Sequence, residues 1–343
     1  MNIARGSFQQ NATFSMTCRR RARTSLRIIS DMRADRSSVE NEDMIAEQGH
    51  FVWYELLTTD IASAAAFYHQ VLGWEVRDAS TARFAYRVLT ADGAPVSGLM
   101  ALPPEGIARG AAPRWAGYVA VDDLDASVSR LTALGGTVYV PPTASNIGRI
   151  AIVADPQTAT LALVEGPTIA VPQRDRDRIG RVGWHELLAA ERRQAFAFYE
   201  GLFGWQTVGG DAALNDTYQL FAMGADTLGG MFTKLPRAPF PFWLYYFNVA
   251  DLNVALQHLA ALGGKVVQGP IEQPNGIWIA RCIDPQGAMF AVQGERPGAT
   301  SADAPPFEIG WAAEWGGFTS RGRMIERRGS LPEPAAKRPP SKR

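Results

Sequence analysis

One pattern of apolar and polar residues occurs twice along the chain. Residues 51–58 have the aromatic and branched content of a strand, and residues 61–72 carry apolar side chains at helical spacing. The pattern returns at residues 182–205, where Trp-x-Glu, Phe-Tyr and Gly-Trp follow one another in the same order. Self-similarity of this kind predicts a tandem repeat of two modules.

Each copy has the same predicted order of elements. In the first copy Asp60 is a helix cap and Gly73 a helix stop, and three strand-like runs follow. A second strand, a helix that stops at Gly135-Gly136, and three further strands repeat that order. One module is therefore predicted to contain two βαβββ units.

The predicted domain organisation rests on where these patterns begin and end. A basic, acid-poor N-terminal stretch and a Pro- and Arg-rich C-terminal stretch cannot bury a core, so both are expected to be disordered. An organelle transit peptide and an overcalled start are the alternatives for the N-terminal stretch. The expected divisions are an extension at 1–48, a first module at 49–166, a linker at 167–178, a second module at 179–295 and a tail at 296–343.

Composition narrows the function classes. The apolar fraction is 46%, and 34 basic residues balance 34 acidic ones, so no global field attracts nucleic acid or an anionic membrane. Cys18 and Cys282 are too few for a disulfide framework, and Cys282 is expected to be a buried core thiol. No run reaches the roughly 18 apolar residues of a membrane span. These features favour a cytoplasmic protein without nucleic-acid or membrane partners.

The motifs resemble those of the vicinal oxygen chelate superfamily, which contains glyoxalases, bleomycin-resistance proteins and extradiol dioxygenases. The resemblance rests on the openings WYEL and WHEL, the helices ending FYHQVLGW and FYEGLFGW, the paired Gly98-Met100 and Gly229-Met231, and the ending DPQGAMFAVQG. It implies an α+β fold of two tandem glyoxalase-like modules, each a curved mixed sheet around a cavity. In many members of the superfamily that cavity holds a divalent metal.

The resemblance also implies where metal ligands would stand, and those positions carry no suitable side chain. They are Trp53, Ala116 and Ala162 in the first module and Trp184, Leu244 and Ala291 in the second. A catalytic metal site needs about three convergent nitrogen or oxygen ligands. The chain has four histidines, of which His69 and His258 are expected to be exposed helix residues. We therefore expect no metal and no other cofactor.

Glu55 and Glu186 are the leading candidates for chemistry, because strand alternation places them on the face of Trp53 and Trp184, which the resemblance makes the inward face. A carboxyl group in an aromatic cavity would have a raised pKa and could act as an acid or base, or bind a ligand. The alternative is a structural glutamate bonded to backbone or paired with an arginine. His185 adjoins Glu186, but alternation points its side chain to the other face.

Aromatic and sulfur-containing side chains near these glutamates are candidates for lining a pocket for a flat apolar molecule. They are Trp53, Tyr54, Met100, Trp115 and Tyr118 in the first module, and Trp184, Phe221, Met231, Trp243 and Tyr246 in the second. Tyr54 in one copy corresponds to His185 in the other, so the two sites need not bind the same ligand.

Three functions are consistent with the sequence. The favoured one is a metal-free protein that binds a small molecule. An enzyme of glyoxalase, lyase, isomerase or dioxygenase type would instead use Glu186 or Glu55 as acid and base, with His185 as a further candidate group. A structural or interaction protein would fill its cavities with side chains. Because paired modules can complete a site region within one chain, both a monomer with pseudo-dimeric modules and a homodimer are expected assemblies.

Overall fold

The computed structural model describes residues 48–81, 84–108, 110–169, 175–208, 218–234, 240–273 and 276–298. Most of the expected N-terminal extension and C-terminal tail, and part of the linker, lie outside these residues. Within them the predicted α+β architecture of two tandem modules is confirmed.

The described part of the first module contains eight strands and three helices. The strands are β1 (Phe51–Thr58), β2 (Glu75–Asp78), β3 (Tyr86–Ala91), β4 (Ala94–Ala101), β5 (Arg114–Ala120), β6 (Thr137–Ser145), β7 (Gly148–Ala154) and β8 (Thr160–Glu165). The helices are α1 (Ile61–Leu72), α2 (Pro104–Ile107) and α3 (Leu124–Ala133). The predicted βαβββ order is confirmed twice. The short α2 was not predicted; it begins at a proline, which is favourable in a first helical turn.

The described part of the second module contains eight strands and two helices. The strands are β9 (Val182–Ala189), β10 (Gln206–Thr207), β11 (Tyr218–Met223), β12 (Asp226–Thr233), β13 (Phe242–Val249), β14 (Lys265–Glu272), β15 (Trp278–Ile283) and β16 (Met289–Gly294). The helices are α4 (Arg192–Phe203) and α5 (Leu252–Ala261).

Each module forms one mixed sheet, and the first strands of its two βαβββ units lie side by side at the centre: β1 and β5 in the first module, β9 and β13 in the second. The strand order is β2-β3-β4-β1-β5-β8-β7-β6 in the first module, and the second repeats it as β10-β11-β12-β9-β13-β16-β15-β14. Strand β1 runs parallel to β4 and antiparallel to β5. Residues on β1 and β9 therefore have paired neighbours on both sides, which holds their side chains in fixed positions.

The predicted helix boundaries agree with the structure. The carboxylate of Asp60 accepts hydrogen bonds from the backbone N–H groups of Ala62 and Ser63, each at 3.0 Å. Gly73 adopts the left-handed conformation at φ 70°, which glycine reaches without steric cost. Asp123 caps α3 in the same way. No helix in the described ranges is long and apolar enough to cross a membrane.

The two modules share one hydrophobic core that lies between their helix-bearing faces. Helix α1 packs on α5 of the other module, and α3 packs on α4. The tyrosine of each Phe-Tyr pair crosses the boundary: Tyr68 donates to Asp284 and Tyr199 donates to Asp155, both at 3.1 Å. These aspartates belong to the repeated Asp-Pro-Gln turns, so two of the repeated motifs join the modules. Cys282 is fully buried in this core, as predicted.

Candidate functional site

The opposite face of each sheet carries a buried glutamate, and we call it the carboxylate face. In the first module Glu55 lies on the central strand β1 and is 4% exposed. Its Oε1 accepts a hydrogen bond from the Tyr86 hydroxyl at 2.6 Å, and its Oε2 accepts one from the Tyr118 hydroxyl at 2.5 Å. Strands β3 and β5 supply the two tyrosines, so three strands build the cluster.

Small residues beside Glu55 make this arrangement possible. Gly98 on β4 and Ala116 on β5 are the register partners of Glu55. A Cβ atom on Gly98 would lie 2.0 Å from the hydroxyl oxygen of Tyr86 and 3.0 Å from Cγ of Glu55. Because the first distance is far below contact, the Tyr86–Glu55 hydrogen bond requires glycine at position 98.

Burial dominates the electrostatics of Glu55. It disfavours the charged carboxylate and so raises the pKa of Glu55, although hydrogen bonds from Tyr118 and Tyr86 act in the opposite direction. The indole of Trp53 also lowers the pKa of both Glu55 and Tyr86, which indicates that its N–H faces their oxygens. That N–H is buried and reaches hydrogen-bond geometry with none of the described residues. It is therefore close to the cluster without being part of its hydrogen-bond network.

The second module holds its glutamate differently. Oε2 of Glu186 accepts hydrogen bonds from Tyr246 at 2.6 Å and from Nη2 and Nε of Arg281 at 2.6 and 3.2 Å. Both members of this ion pair are buried, at 1% and 6% side-chain exposure. Nη1 of Arg281 donates to Oε1 of Gln268 at 2.5 Å. The arginine partner, which the sequence left open as a structural alternative, is thus present in this module, on β15 beside the edge strand β14.

The tyrosine equivalent to Tyr86 has another partner in the second module. Tyr218 accepts a hydrogen bond from the indole N–H of Trp184 at 3.0 Å. Gly230 is the register partner of Glu186, and a Cβ atom there would lie 2.0 Å from the ring of Tyr218. The glycine, the tyrosine and the tryptophan thus recur in both modules, but their hydrogen bonds differ.

Apolar side chains that are only half-buried surround both clusters. Such side chains offer contact surface to an apolar molecule while remaining part of the fold. In the first module they are Phe84, Met100, Ile150 and Ile152, and in the second they are Trp184, Phe242, Ile271 and Met289.

Seven of the predicted site residues come together on the carboxylate faces. In the first module they are Trp53, Glu55, Met100 and Tyr118; in the second they are Trp184, Glu186 and Tyr246. Their roles toward a ligand remain predictions.

The other six predicted residues lie on the helix-bearing faces, in or against the shared core. They are Tyr54, Trp115, His185, Phe221, Met231 and Trp243. The structure does not bring them together with Glu55 or Glu186. Trp115 and Trp243 donate instead to the boundary tyrosines Tyr68 and Tyr199, at 3.0 and 3.1 Å.

The pairing of Gly98-Met100 with Gly229-Met231 was wrong by one residue. The partner of Glu55 on β4 is Gly98, whereas the partner of Glu186 on β12 is Gly230. Met231 therefore falls on the face opposite to that of Met100, because a shift of one residue reverses every side chain of a strand. Phe232 takes the position on the carboxylate face.

His185 lies between the modules. Its Nδ1 lies 2.6 Å from the carbonyl oxygen of Leu228, which can only accept, so Nδ1 carries the proton. Its Nε2 then accepts from the hydroxyl of Tyr54 at 2.6 Å. Burial lowers the pKa of His185 to about 3, so the ring is neutral at physiological pH. Both nitrogens are occupied, and neither faces Glu186.

Sequence reasoning missed three residues of the two clusters. Tyr86 and Tyr218 open strands that the sequence analysis did predict, and their recurrence in both copies was the available signal. Arg281 directly precedes the core residue Cys282 on β15. Because side chains alternate along a strand, the side chain of Arg281 could be predicted to point to the opposite face of the sheet. Its pairing with Glu186 depends on strand register, for which no sequence signal was available.

The carboxylate faces do not fit a divalent metal. Trp53 on β1 is the register partner of Tyr118 on β5, which is the partner of Ala162 on β8. Ala116 on β5 is the partner of Glu55, which lies on the same face of β1 as Trp53. The three expected ligand positions therefore converge on one face. An indole N–H is a donor only and alanine offers no ligand atom. The equivalent Trp184, Leu244 and Ala291 are equally unsuitable. In the described part of the chain no three His, Cys, Asp or Glu side chains are grouped as metal ligands.

The fold and the site define a tandem protein whose two mixed-sheet modules each carry a buried carboxyl cluster on one face. The chain belongs to the Glyoxalase/Bleomycin resistance protein/Dioxygenase superfamily, whose family model matches residues 48–163 and 181–292.

Two curated relatives and one solved structure illustrate this membership. The chain is 32% identical over 254 residues to "Putative glyoxylase CFP32" of Mycobacterium tuberculosis, covering 71% of this chain and 94% of that protein. It is 34% identical over 263 residues to "Anthracycline biosynthesis protein DauV" of a Streptomyces species, covering 70% and 91%. The Mn(II)-bound glyoxalase from Novosphingobium aromaticivorans shares the fold, with a TM-score of 0.54, 15% identity and coverage of 72% and 83%.

Proposed function

We propose that this protein binds a small apolar or aromatic molecule on the carboxylate faces of its modules without a metal ion. The observation that carries the proposal is a buried, hydrogen-bonded carboxyl group enclosed by half-buried apolar side chains, such as Met100 and Ile152 beside Glu55. Ligand sites combine apolar walls with a few fixed polar groups in this way. The Streptomyces relative is named for anthracycline biosynthesis, which supports a small-molecule ligand.

The chemistry of the side chains supports binding without a metal. The side chains of Trp53, Ala116 and Ala162 carry no oxygen or nitrogen atom that can bind a metal ion. Both oxygens of Glu55 already accept hydrogen bonds from tyrosines. The carboxylate of Glu186 is likewise committed to Tyr246 and Arg281 through Oε2. A metal ion would gain a single carboxylate ligand per module, short of the about three ligands that a catalytic metal site needs.

Native mass spectrometry of the full chain, purified without chelator, tests this proposal. We expect a metal-free chain that gains mass on addition of a small aromatic probe such as acetophenone, with the gain lost at high denaturant. One Zn, Fe, Mn or Ni ion per module would contradict it. The same spectrum gives the subunit number, for which we propose a monomer because the modules already pair within one chain.

A second candidate function is acid–base catalysis by Glu55. The raised pKa of Glu55 favours it, since a carboxyl group with a raised pKa can donate and accept protons nearer neutral pH. Turnover of an established substrate that is unchanged in both Glu55→Gln and Glu186→Gln would rule this function out. We propose a cytoplasmic location in either case, since the two cysteines of the sequence are too few for the disulfide framework typical of secreted domains.

A further inference from the structure

The first module carries an arginine on its carboxylate face. Arg114 begins the central strand β5, two residues before Ala116, which is the register partner of Glu55. Trp115 lies between them and packs in the core shared by the modules. Because side chains alternate along a strand, those of Arg114 and Ala116 lie on the carboxylate face, about 7 Å apart along β5.

The charge of Arg114 has no acidic partner in the described part of the chain. Its guanidinium donates to the carbonyl oxygen of Ala112 at 3.3 Å, and it forms no ion pair with Glu55 or any other described acid. Most of its N–H groups are therefore available to another acceptor. The side chain is half-buried, and burial lowers the pKa of Arg114; the group that opposes this shift is the phenol of Tyr139, not a carboxylate. Arginine stays charged at physiological pH, so a partly desolvated cation belongs to this face.

The second module lacks both the cation and the space beside it. Leu244 is the register partner of Glu186, so Phe242 and Leu244 on β13 occupy the positions of Arg114 and Ala116. Leu244 is 0% exposed and fills the space beside its glutamate, whereas the smaller Ala116 leaves the equivalent position half-buried. Two large apolar side chains thus stand where the first module has a charge and an opening.

The surroundings of Arg114 define what the opening can bind. Leu57 is the register partner of Arg114 on β1, and like Ala116 it is half-buried. These two apolar side chains on adjacent central strands offer a surface for a flat apolar ring. The guanidinium offers paired N–H groups that match the two oxygens of a carboxylate. A carboxylate on Arg114 would direct the ring, and not a second charge, toward Glu55.

We propose that the first module, and not the second, binds an aromatic carboxylic acid in its anionic form, with the carboxylate on Arg114 and the ring on Leu57 and Ala116. This inference rests on the proposed function, because it names the ligand class for one of the two carboxylate faces. It assigns different ligand chemistry to two modules that share a fold and a buried glutamate.

Two probes of similar shape test the inference on the full chain. Benzoate carries a carboxylate, whereas acetophenone has a methyl group in place of one carboxylate oxygen and is neutral. Arg114→Gln removes the charge, and Arg114→Lys keeps it without the planar guanidinium. Arg130→Gln is the matched control, since Arg130 is exposed on helix α3, on the other face of the same module. Titration calorimetry measures the dissociation constants at low and high salt.

We expect the wild-type chain to bind benzoate at least about tenfold more tightly than acetophenone, the order of one hydrogen bond to a charged group. Arg114→Gln should bring that ratio close to one, Arg114→Lys should keep part of it, and Arg130→Gln should leave it unchanged. High salt should weaken the binding of benzoate and not that of acetophenone, because it screens charge.

A variant at Ala116 tests the opening separately from the charge. Ala116→Leu copies the side chain of Leu244 and should weaken benzoate binding at least about tenfold, because the added atoms occupy the place of the ring. Thermal unfolding shows whether this variant and Arg114→Gln remain folded. Benzoate binding that is unchanged in Ala116→Leu would contradict the placement of the ligand.

Other outcomes separate the two proposals. A benzoate-to-acetophenone ratio that is the same in Arg114→Gln as in the wild type, or that falls equally in Arg130→Gln, would overturn this inference and leave aromatic binding intact. Failure of both probes to bind the wild-type chain would overturn the proposed function together with the inference.

Discussion

Glu55 and Glu186 occupy the same position in two copies of one module, yet their surroundings differ. Two tyrosine hydroxyls hold Glu55, while one tyrosine and the buried guanidinium of Arg281 hold Glu186. In the first module Ile152 replaces that arginine. One side chain, three strands away from the glutamate in the sheet order, therefore determines whether a buried carboxyl group has a compensating charge.

The same difference changes the role that each cluster can play. A buried ion pair fixes charge and geometry, but neither partner can be removed without leaving the other charge uncompensated. A carboxyl group held only by hydroxyls can gain or lose a proton with smaller rearrangement. The second module thus holds its carboxylate in a buried ion pair, whereas the first holds a carboxyl group whose pKa is raised by burial.

We expect the largest change in the free energy of unfolding when the charge of Glu186 is removed. Glu186→Gln leaves the guanidinium of Arg281 buried without a counter-charge, and we expect unfolding free energy to fall by about 3–5 kcal/mol. Urea denaturation followed by tryptophan fluorescence measures it. Glu165→Gln is the matched control, since its pair with Arg149 is partly exposed and solvent screening leaves it a small contribution. Equal losses in the two variants would contradict the account.

Removing both partners should recover much of that stability. The double variant Glu186→Gln/Arg281→Ile copies the neutral environment of the first module at position 281. We expect it to be at least about 2 kcal/mol more stable than Glu186→Gln alone, because no charge remains buried. A double-mutant cycle from the same denaturation curves gives the coupling energy, and strictly additive losses would argue against a buried pair.

A methyl group on Gly98 should break the cluster of the first module. Its Cβ would overlap the hydroxyl of Tyr86, so the hydrogen bond to Glu55 cannot persist, and we expect Gly98→Ala to cost about 1–2 kcal/mol. Gly106→Ala serves as the control, because its nearest neighbour would be at an ordinary 3.6 Å. Thermal unfolding compares the two, and a Gly98→Ala variant as stable as the control would be inconsistent with the geometry.

The smallest expected effect is a change in pH dependence. Burial raises the pKa of Glu55, so the folded state binds its proton more tightly than the unfolded state does. The resulting stabilisation is complete below the ordinary pKa and is lost as pH rises through the raised value. Glu55→Gln should therefore match the wild type in acid and exceed it by on the order of 1 kcal/mol at pH 8. A variant less stable than the wild type at pH 8 would oppose this assignment.

The fold was predictable because its signals are local and occur twice. The cap at Asp60, the stop at Gly73 and the strand content around Glu55 each specify a short segment, and their recurrence fixed the order of elements. Alternation along β1 also placed Trp53 and Glu55 on one face. These inferences require no knowledge of which strands are neighbours.

Register and partner choice were not predictable in the same way. Met231 was matched to Met100 because both follow a glycine at the same spacing. In the structure the register of β12 against β9 differs by one residue from that alignment, so the side chain of Met231 lies on the opposite face of the sheet. Trp115 and Trp243 were expected in a pocket, yet both point into the core shared by the modules. That core exists only because two helix-bearing faces meet, and no single segment encodes that contact.

The most direct test of the comparison is a titration of the Glu55 side chain. Carbon-13 spectra of the glutamate carboxyl groups are recorded against pH, with Glu55→Gln identifying the signal. We expect a midpoint above the ordinary value of 4.5, and a lower midpoint when Ile152→Arg supplies the missing cation. A wild-type midpoint at or below 4.5, unmoved by that substitution, would contradict the claim that the first module leaves its carboxyl group without a compensating charge.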